Sequence, residues 1–179
     1  MILGAKRLLS LVKSKKLIEN LSERELNNPE GAGFDLRLGQ VHKISGTAFL
    51  GIVERDSAKS KLVYSYKENK KQTITLKPAE SYLVTTLEKV NMPINLTANM
   101  WLRSTLYRSG IILSGGNVAP GYGGELSFLL FNAGKAKVKI ELGARIVHII
   151  FWEVSGKLNT YRGQWQGGRI TTKKKEKQV

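Results

Sequence analysis

The sequence contains no cysteine and no long apolar run. The first absence excludes disulfide bonds, thiolate catalysis and zinc sites built from thiolates. The second argues against a membrane-spanning helix, which needs ~18 consecutive apolar residues. Lysines interrupt every candidate apolar core near the N-terminus, so no signal peptide is predicted either. We therefore expect a cytoplasmic protein that has no contact with a membrane.

Acidic residues are also scarce, with 14 Asp and Glu against 29 Lys and Arg, which gives a net charge of +15. Such an excess favours a polyanionic partner, either nucleotide phosphates or nucleic acid. Residues 171–179 contain four lysines and one glutamate, without apolar periodicity. They are predicted to form a flexible basic tail, which is either solvated or an arm that closes over an anionic ligand.

The pattern of apolar residues predicts an all-β fold behind a short N-terminal helix. In residues 5–16, apolar side chains repeat at helical spacing with lysines on the opposite face. The segment 22–25 has the spacing of a helix capping box. From Gly33 onward, short β-branched and aromatic runs alternate with turns at intervals of roughly 8–12 residues, which is typical of a sandwich or barrel. No linker interrupts the chain, so we expect one domain over residues 1–170.

Most familiar catalytic patterns are missing. His42 and His148 are the two histidines, and each lies within a strand-like run, where packing is a commoner role than catalysis. The sequence has no P-loop, dinucleotide fingerprint, zinc-protease helix or nucleophilic serine elbow. Polar residues suited to chemistry are instead confined to four short segments within the apolar pattern. These segments are 31–37, 103–110, 117–132 and 161–168.

Side chains in these segments suit a chemical role, but a purely structural role is also possible for several of them. Asp35 follows small residues that permit close backbone approach, so its carboxylate suits a metal ion or a water molecule, or else a hydrogen bond within its own turn. Arg103, Ser104 and Arg108 combine two guanidinium groups with a hydroxyl, which suits phosphate oxygens or an exposed helical turn. The glycine-rich segment 161–168 suits a mobile flap whose backbone N–H groups cradle phosphates.

The order of these segments resembles the dCTP deaminase and dUTPase superfamily. Five segments of this chain resemble the five motifs of that superfamily, in the same order: "GAGFDLRLG", "LRSTLYRSG", "VAPGYGGELSFLLFN", "GARIVHIIF" and "YRGQWQGG". The resemblance covers residues 1–170 and implies a β-clip subunit, a distorted β-barrel that forms a homotrimer with active sites between subunits. It also implies dUTP or dCTP as the substrate and Mg²⁺ as the cofactor.

The resemblance also implies roles for individual residues. Asp35 corresponds to a carboxylate that reaches the magnesium-bound triphosphate through water, and Arg108 corresponds to an arginine near the base. Tyr122 corresponds to an aromatic ring that packs on the deoxyribose. The other implied substrate-binding residues belong to the phosphate clamp, the turn and the closing segment: Arg103, Ser104, Thr105, Gly121, Tyr161, Arg162, Gln164, Gln166, Gly167 and Gly168.

The chain departs from the superfamily at two catalytic carboxylates. Deaminases keep a glutamate where this chain has Leu129, and dUTPases keep an aspartate where it has Ala119. Neither side chain can accept a proton, although both reactions use a base to activate water. Glu125 is a nearby carboxylate, but a regular strand places it on the face of Leu129 and roughly 13 Å away. We take Asp35, Arg108 and Glu125 as the candidate catalytic residues.

Three functions compete for this sequence. The leading hypothesis is a dUTPase-type hydrolase that converts dUTP to dUMP and pyrophosphate, because phosphate hydrolysis depends largely on positioning and electrostatic stabilisation. The alternative is a dCTP deaminase or a bifunctional deaminase–dUTPase, which the N-terminal helix, Arg108 and "YRGQWQGG" favour. The third is a nucleotide-binding paralogue without turnover, since both aligned carboxylate positions are apolar. Nucleic-acid binding rests on charge alone and is not favoured.

Overall fold

The computed structural model describes residues 1–178 as a mostly β structure with three short helices, which confirms the all-β expectation. None of these helices is long and apolar enough to cross a membrane. The helices are α1 (Ala5–Lys15), α2 (Glu23–Asn27) and α3 (Ser104–Arg108). The strands are β1 (Ile18–Glu19), β2 (Gly33–Ser45), β3 (Phe49–Leu50), β4 (Glu54–Asp56), β5 (Lys59–Ser65), β6 (Thr73–Leu76), β7 (Ser81–Asn91), β8 (Leu96–Leu102), β9 (Ile111–Ser114), β10 (Asn117–Val118), β11 (Gly123–Asn132), β12 (Val138–Glu141), β13 (Arg145–Glu153) and β14 (Glu176–Lys177).

Nine of the strands form one sheet that curls into a half-barrel. Its order is β10-β8-β13-β2-β7-β11-β9, with β1 added to β7 and β5 added to β2. Apolar side chains of these strands form the core, in which Phe34, Phe128 and Phe151 are fully buried. Removing side chains of this size from water is the dominant favourable contribution to folding.

The long strand β2 links the two halves of the sheet because it changes partners along its length. Residues 33–37 pair with β13, whereas residues 38–45 pair with β7 and β5. Gly33 begins the strand at a point where a Cβ atom would lie 2.1 Å from the Ile149 carbonyl oxygen. The motif "GAGFDLRLG" therefore requires glycine here, and this close approach places Asp35 directly against β13.

Residues 171–178 belong to the segment that the sequence predicts as a flexible basic tail, and they contact earlier strands of the chain. β14 pairs with β4, and together with β3 they form a separate three-stranded sheet. The Ser57 backbone N–H donates a hydrogen bond to Thr172 Oγ1 at 3.0 Å, and Lys175 forms an ion pair with Glu54. The tail is docked because β4 and the turn after it supply hydrogen-bond and ionic partners for it.

Candidate functional site

Asp35 lies at the centre of a buried charged cluster between β2 and β13. Its side chain is 2% exposed, Arg145 Nη1 lies 2.9 Å from its Oδ2, and Arg103 contacts the same oxygen. His148 Nδ1 lies 2.9 Å from Oδ1. Burial lowers the pKa of His148, and a carboxylate can only accept, so the neutral ring donates its Nδ1 proton to Asp35. The predicted carboxylate is thus held by two cations and an imidazole.

Glu25 is a second buried carboxylate in this cluster, and the sequence assigned it only to a helix capping box. It is fully buried and accepts hydrogen bonds from the Asp35 backbone N–H at 3.0 Å and from Arg24. The capping-box spacing of residues 22–25 is misleading, because Ser22 begins α2 without a side-chain capping bond and the Glu25 carboxylate bonds to β2 instead. Its role becomes visible only once β2 is placed against α2.

Three arginines form the open side of the cluster. The side chains of Arg24, Arg103 and Arg145 are 40%, 32% and 33% exposed, whereas Glu25 and Asp35 are buried. Burial, followed by repulsion from Arg145, lowers the pKa of Arg103. Guanidinium groups that converge in this way repel one another unless anions lie between them. Their exposed N–H donors therefore suit a polyanion such as a chain of phosphates.

A resident magnesium ion does not fit against Asp35 in this arrangement. Both carboxylate oxygens already accept from Arg103, Arg145 or His148, and the side chain is almost closed to solvent. Within residues 1–178, no group of three or more His, Asp or Glu side chains could hold a metal ion. A magnesium ion used here would have to arrive with the phosphates of a ligand, which are among its usual oxygen ligands.

The segment 117–132 forms one wall of an aromatic cavity of about 190 Å³. Tyr122 and Tyr161 meet edge to face in this cavity, with ring centroids 5.4 Å apart. The lining residues are Met100, Gly116, Asn117, Val118, Ala119, Tyr122, Leu126, Ser127, Tyr161 and Trp165. Because no carboxylate is among them, the cavity offers surfaces that pack a ring but no acidic side chain to act as a general base.

Tyr122 is held rigidly in this wall. Its hydroxyl donates a hydrogen bond to the Glu125 carbonyl oxygen at 2.6 Å. Burial raises the pKa of Tyr122 to about 12, so the hydroxyl stays protonated at neutral pH. A fixed, protonated ring suits packing against a ligand better than proton transfer.

The C-terminal segment 161–168 lies directly on the turn that carries Tyr122. The Gly167 N–H donates to the Gly123 carbonyl oxygen at 2.7 Å. Gln166 Oε1 accepts from the Gly123 N–H at 3.2 Å, and Gln166 Nε2 donates to the Gly121 carbonyl oxygen at 3.1 Å. The structure therefore brings together two segments that are far apart in the sequence.

Glycine is required where these two segments cross. Gly124 has a φ of +136°, and a Cβ atom there would lie 2.3 Å from the Gly168 nitrogen. A Cβ atom on Gly168 would in turn lie 2.5 Å from Glu125 Oε2. A side chain at Gly124 would push the closing segment away from the turn, whereas at Gly168 the φ of +75° is the constraint that favours glycine.

Other predicted site residues lie apart from the Asp35 cluster. Arg108 ends α3 in an exposed position, with its guanidinium carbon 6.0 Å from the Tyr107 ring centroid. Gln164 Nε2 donates to the Lys177 carbonyl oxygen, which joins the closing segment to the tail. Ser104, Thr105 and Arg162 are exposed.

Glu125 lies on the same face of β11 as Leu129, as the strand spacing predicts, although the pairing of β11 with β7 shifts register between Glu125 and Ser127. Burial alternates along this strand, and the less buried face carries Glu125, Ser127 and Leu129. Lys89 Nζ lies 3.7 Å from Glu125 Oε1, whereas Leu129 pairs with Ser114 and Leu83 four residues further along the strand. Glu125 is thus close to a lysine and to the closing segment, and it is absent from the lining of the aromatic cavity.

The curled sheet, the arginine cluster and the aromatic cavity together define a β-clip protein with a site suited to an anionic, ring-containing ligand. The model of the dCTP deaminase-like family matches residues 2–154, and the chain belongs to this family. The predicted resemblance is thereby confirmed.

Relatives and a solved structure agree with this assignment. The chain is 35% identical to a dCTP deaminase of Pyrococcus furiosus over 93% of this chain and 95% of that one. It is 30% identical to a dUMP-forming dCTP deaminase of Dictyoglomus turgidum over 89% of this chain and 84% of that one. The fold matches the crystal structure of 2'-deoxycytidine 5'-triphosphate deaminase from Agrobacterium tumefaciens, with a TM-score of 0.64 and 17% identity. That match covers 84% of this chain and 46% of the Agrobacterium chain.

Proposed function

We propose that the protein binds a pyrimidine deoxynucleoside triphosphate and hydrolyses dUTP to dUMP and pyrophosphate. The observation that carries the proposal is the set of three converging arginines, combined with an aromatic cavity that lacks a carboxylate in its lining. The names of the relatives support the substrate class, because they act on dCTP and one of them forms dUMP.

The arginines carry the phosphate chemistry in this proposal. Arg103 binds the triphosphate, while Arg24 and Arg145 stabilise the negative charge that develops on the leaving pyrophosphate. A guanidinium group has five N–H donors, so Arg103 can keep its contact with Asp35 and still reach phosphate oxygens through its exposed donors. Asp35 then acts by orienting the arginines. Magnesium is part of the substrate here, as the counter-ion of the triphosphate.

The remaining groups position the nucleoside. Tyr122 packs against the deoxyribose, and the segment 161–168 covers the ligand and excludes bulk water. Glu125 remains the candidate for positioning the attacking water. For this role its carboxylate has to leave Lys89 Nζ, which lies 3.7 Å away, and turn into the cavity, whose lining does not include it.

We also propose that the active form is a homotrimer whose sites lie between subunits. Arg108 supports this proposal, because its guanidinium group is exposed to solvent beside the exposed ring of Tyr107. An arginine in that position is available to the ligand of a neighbouring subunit. Size-exclusion chromatography with light scattering checks the assembly, since three copies of a 19.9 kDa chain are expected.

Binding without turnover is the second candidate. Ala119 lies in the lining of the cavity and Leu129 lies on β11, so neither position supplies a base. Deamination of dCTP is the third candidate. The names of the relatives favour it, but attack on the base ring needs a proton acceptor close to the ring, and the cavity lining contains no carboxylate. Release of ammonia from dCTP would restore it.

The test is incubation with dUTP, dCTP and the other deoxynucleoside triphosphates in the presence of magnesium, followed by separation of the products. We expect dUMP and pyrophosphate from dUTP. Calorimetric binding of dUTP without any product would establish the second candidate instead. A chain that binds none of these nucleotides would overturn both.

A further inference from the structure

We propose that a lysine-rich face at the end of β2 opposite Asp35 binds the phosphodiester backbone of a single-stranded nucleic acid. This lysine face is defined by five exposed side chains: Lys43, Lys61, Lys77, Lys137 and Lys139. Lys43 follows Asp35 by eight residues on β2, about 26 Å along an extended strand. The face is therefore separate from the Asp35 cluster, and the inference does not depend on the proposed function.

The arginine cluster does not account for the positive charge of the chain. Its three arginines face two buried carboxylates, so they contribute little to the net charge of +15. Residues 59–77, in contrast, contain six lysines and one acidic residue, and residues 133–141 contain three lysines and one acidic residue. β6 and β12 belong to these two segments and pair with each other. The fold thus collects charge from two distant parts of the sequence.

The lysine face brings like charges together across neighbouring strands. Lys43 is directly opposite Lys61 in the ladder between β2 and β5. Lys77 and Lys137 lie immediately beyond one end of the ladder between β6 and β12. Like charges opposite each other destabilise a sheet, and an anion laid between them removes the repulsion. A departure from a local rule of this kind is expected where a surface has a function.

Glu80 and Tyr82 join the two pairs of lysines into one surface. Lys43 Nζ lies 5.8 Å from the centroid of the Tyr82 ring, and the Tyr82 hydroxyl donates to Glu80 Oε2 at 3.4 Å. The same oxygen accepts from the Lys77 backbone N–H at 3.0 Å. This hydrogen bond is the main cause that lowers the pKa of Glu80, and the charges of Lys77 and Lys43 add to it. Both ammonium groups therefore lie near the same carboxylate.

The charges of the lysine face are largely uncompensated. Within residues 1–178, Lys89 and Lys175 are the lysines with a carboxylate oxygen within 4.0 Å, and neither belongs to the face. Glu80 lies beside the face, and Glu141 is exposed on the same side of β12 as Lys139. Two carboxylates cannot balance five ammonium groups, so the face attracts an anionic partner.

The extent and the composition of the face favour a chain of phosphates over a single anion. β5 pairs with β2, and β2 pairs with β7. Because neighbouring strands lie about 4.8 Å apart, the face extends roughly 10 Å before it reaches Lys77 and Lys137. Its cations are all lysines, which bind phosphates as point charges and lack the forked geometry with which arginine reads guanine. We therefore expect binding that does not depend on base sequence.

An exposed aromatic ring on the same side of the sheet favours a single strand. Tyr64 is 37% exposed, and it is opposite Val41, which lies on the same side of β2 as Lys43. Unpaired bases stack on a ring that is exposed beside cations. A membrane-surface site instead buries apolar side chains next to its cations. Those that β2 and β5 expose, Ile44 and Leu62, project from the opposite side of the sheet.

Fluorescence anisotropy with labelled oligothymidine and oligouridine of about 20 nucleotides tests the inference, and the DNA and RNA arms separate the two sources of this backbone. Lys61→Gln/Lys137→Gln removes one exposed charge from each lysine pair. We expect it to bind at least ~10-fold more weakly than wild type at low salt. The slope of the logarithm of the association constant against the logarithm of salt concentration should fall by about 1.4, because each phosphate contact contributes about 0.7 for single strands.

Lys6→Gln/Lys13→Gln is the matched control, because it removes two charges from exposed positions on α1. It should keep the wild-type affinity and slope. Arg103→Ala should also bind the oligonucleotides as wild type, since the Asp35 cluster is separate from the lysine face. Absence of binding by wild type, or an equal loss in the α1 variant, overturns the inference.

Duplex oligonucleotides and phosphatidylserine vesicles are the remaining arms of the experiment. Tighter binding of the duplex than of the single strand would overturn the inference, and so would lysine-dependent binding of vesicles without binding of oligonucleotides. Lys61→Gln/Lys137→Gln should bind dUTP as wild type. Oligonucleotide binding without dUTP binding would contradict only the proposed function, whereas dUTP binding together with oligonucleotide binding that ignores these lysines would contradict only this inference.

Discussion

In the Asp35 cluster, two buried carboxylates face three arginines and a histidine, whereas in the aromatic cavity the titratable side chains of the lining are two tyrosines. The first region holds fixed charges that can neutralise a polyanion. The second region packs a ring, but it has no carboxylate to accept a proton. The comparison separates recognition from chemistry: under the proposed function the groups suited to hold a nucleotide are present, whereas the cavity lining contains no carboxylate to act as a base.

The largest effect is expected from Arg103→Ala, which breaks the charged region. Binding of dUTP should weaken by at least ~100-fold, because a charge-assisted contact is lost and Asp35 is left with fewer cations. Isothermal titration calorimetry measures this loss. Arg7→Ala removes the same charge from an exposed position on α1 and should bind as wild type. Equal binding by the two variants would show that the cluster is structural, and Arg103→Lys should fall between them.

A single substitution can introduce a carboxylate into the lining of the aromatic cavity. Ala119→Asp places a carboxylate in the lining, and we expect hydrolysis of dUTP to rise by about 100-fold, since a positioned general base contributes 10²–10⁴-fold. Release of pyrophosphate gives the rate. Ala119→Asn has nearly the same size without the base and should not exceed wild type. If both variants have the same rate, the missing carboxylate does not limit the reaction.

A smaller effect is expected from Tyr122→Phe, which separates packing from hydrogen bonding in the cavity. Loss of the hydroxyl bond to the Glu125 carbonyl should lower the free energy of unfolding by about 1 kcal/mol, while the ring keeps its binding surface. Urea denaturation measures the change, and Tyr107→Phe, at an exposed ring, is the control. A tenfold loss of turnover without a loss of stability would instead assign chemistry to the hydroxyl.

The smallest effect is expected in the dependence of the free energy of unfolding on pH. Burial lowers the pKa of His148 and of His42 in the folded chain, so the unfolded chain, with histidine pKa values of about 6.5, binds more protons at mildly acidic pH. Their contribution to stability is therefore complete above about pH 6.5 and is lost as the pH falls from there toward the folded values.

Removing either histidine should flatten this loss. His148→Gln removes the group inside the Asp35 cluster, and His42→Gln removes the one on the outer part of β2. Urea denaturation at several pH values between 7 and 5 should give a shallower decline for each variant than for wild type. An unchanged slope in His148→Gln would show that this imidazole titrates as it does in the unfolded chain.

Part of the site could be predicted from the sequence because its residues lie within short motifs. Asp35 and Arg103 were both assigned to the phosphate side, and the structure places them in contact. Tyr122 was assigned to the deoxyribose and the segment 161–168 to closure over the phosphates, and the structure places these two in contact. In each of these two pairs, the members come from different motifs, and the structure brings them into contact.

Other residues could not be found in this way. Glu25 and Arg24 lie on a short helix whose local spacing predicts a cap, and their partners come from strands more distant in the chain. The basic tail has no apolar periodicity, yet its pairing with β4 orders it. Neither outcome is encoded locally, since each depends on which surfaces meet after the sheet has formed.

The sequence by itself determined the all-β fold, the order of the motifs and the apolar side chains at positions 119 and 129, because apolar periodicity and residue identity are local properties. The tertiary structure decided that Asp35 is enclosed by arginines and closed to a resident metal ion, and that the tail is docked on β4. These outcomes depend on burial and on the pairing of distant charges, which arise only when the strands are packed together.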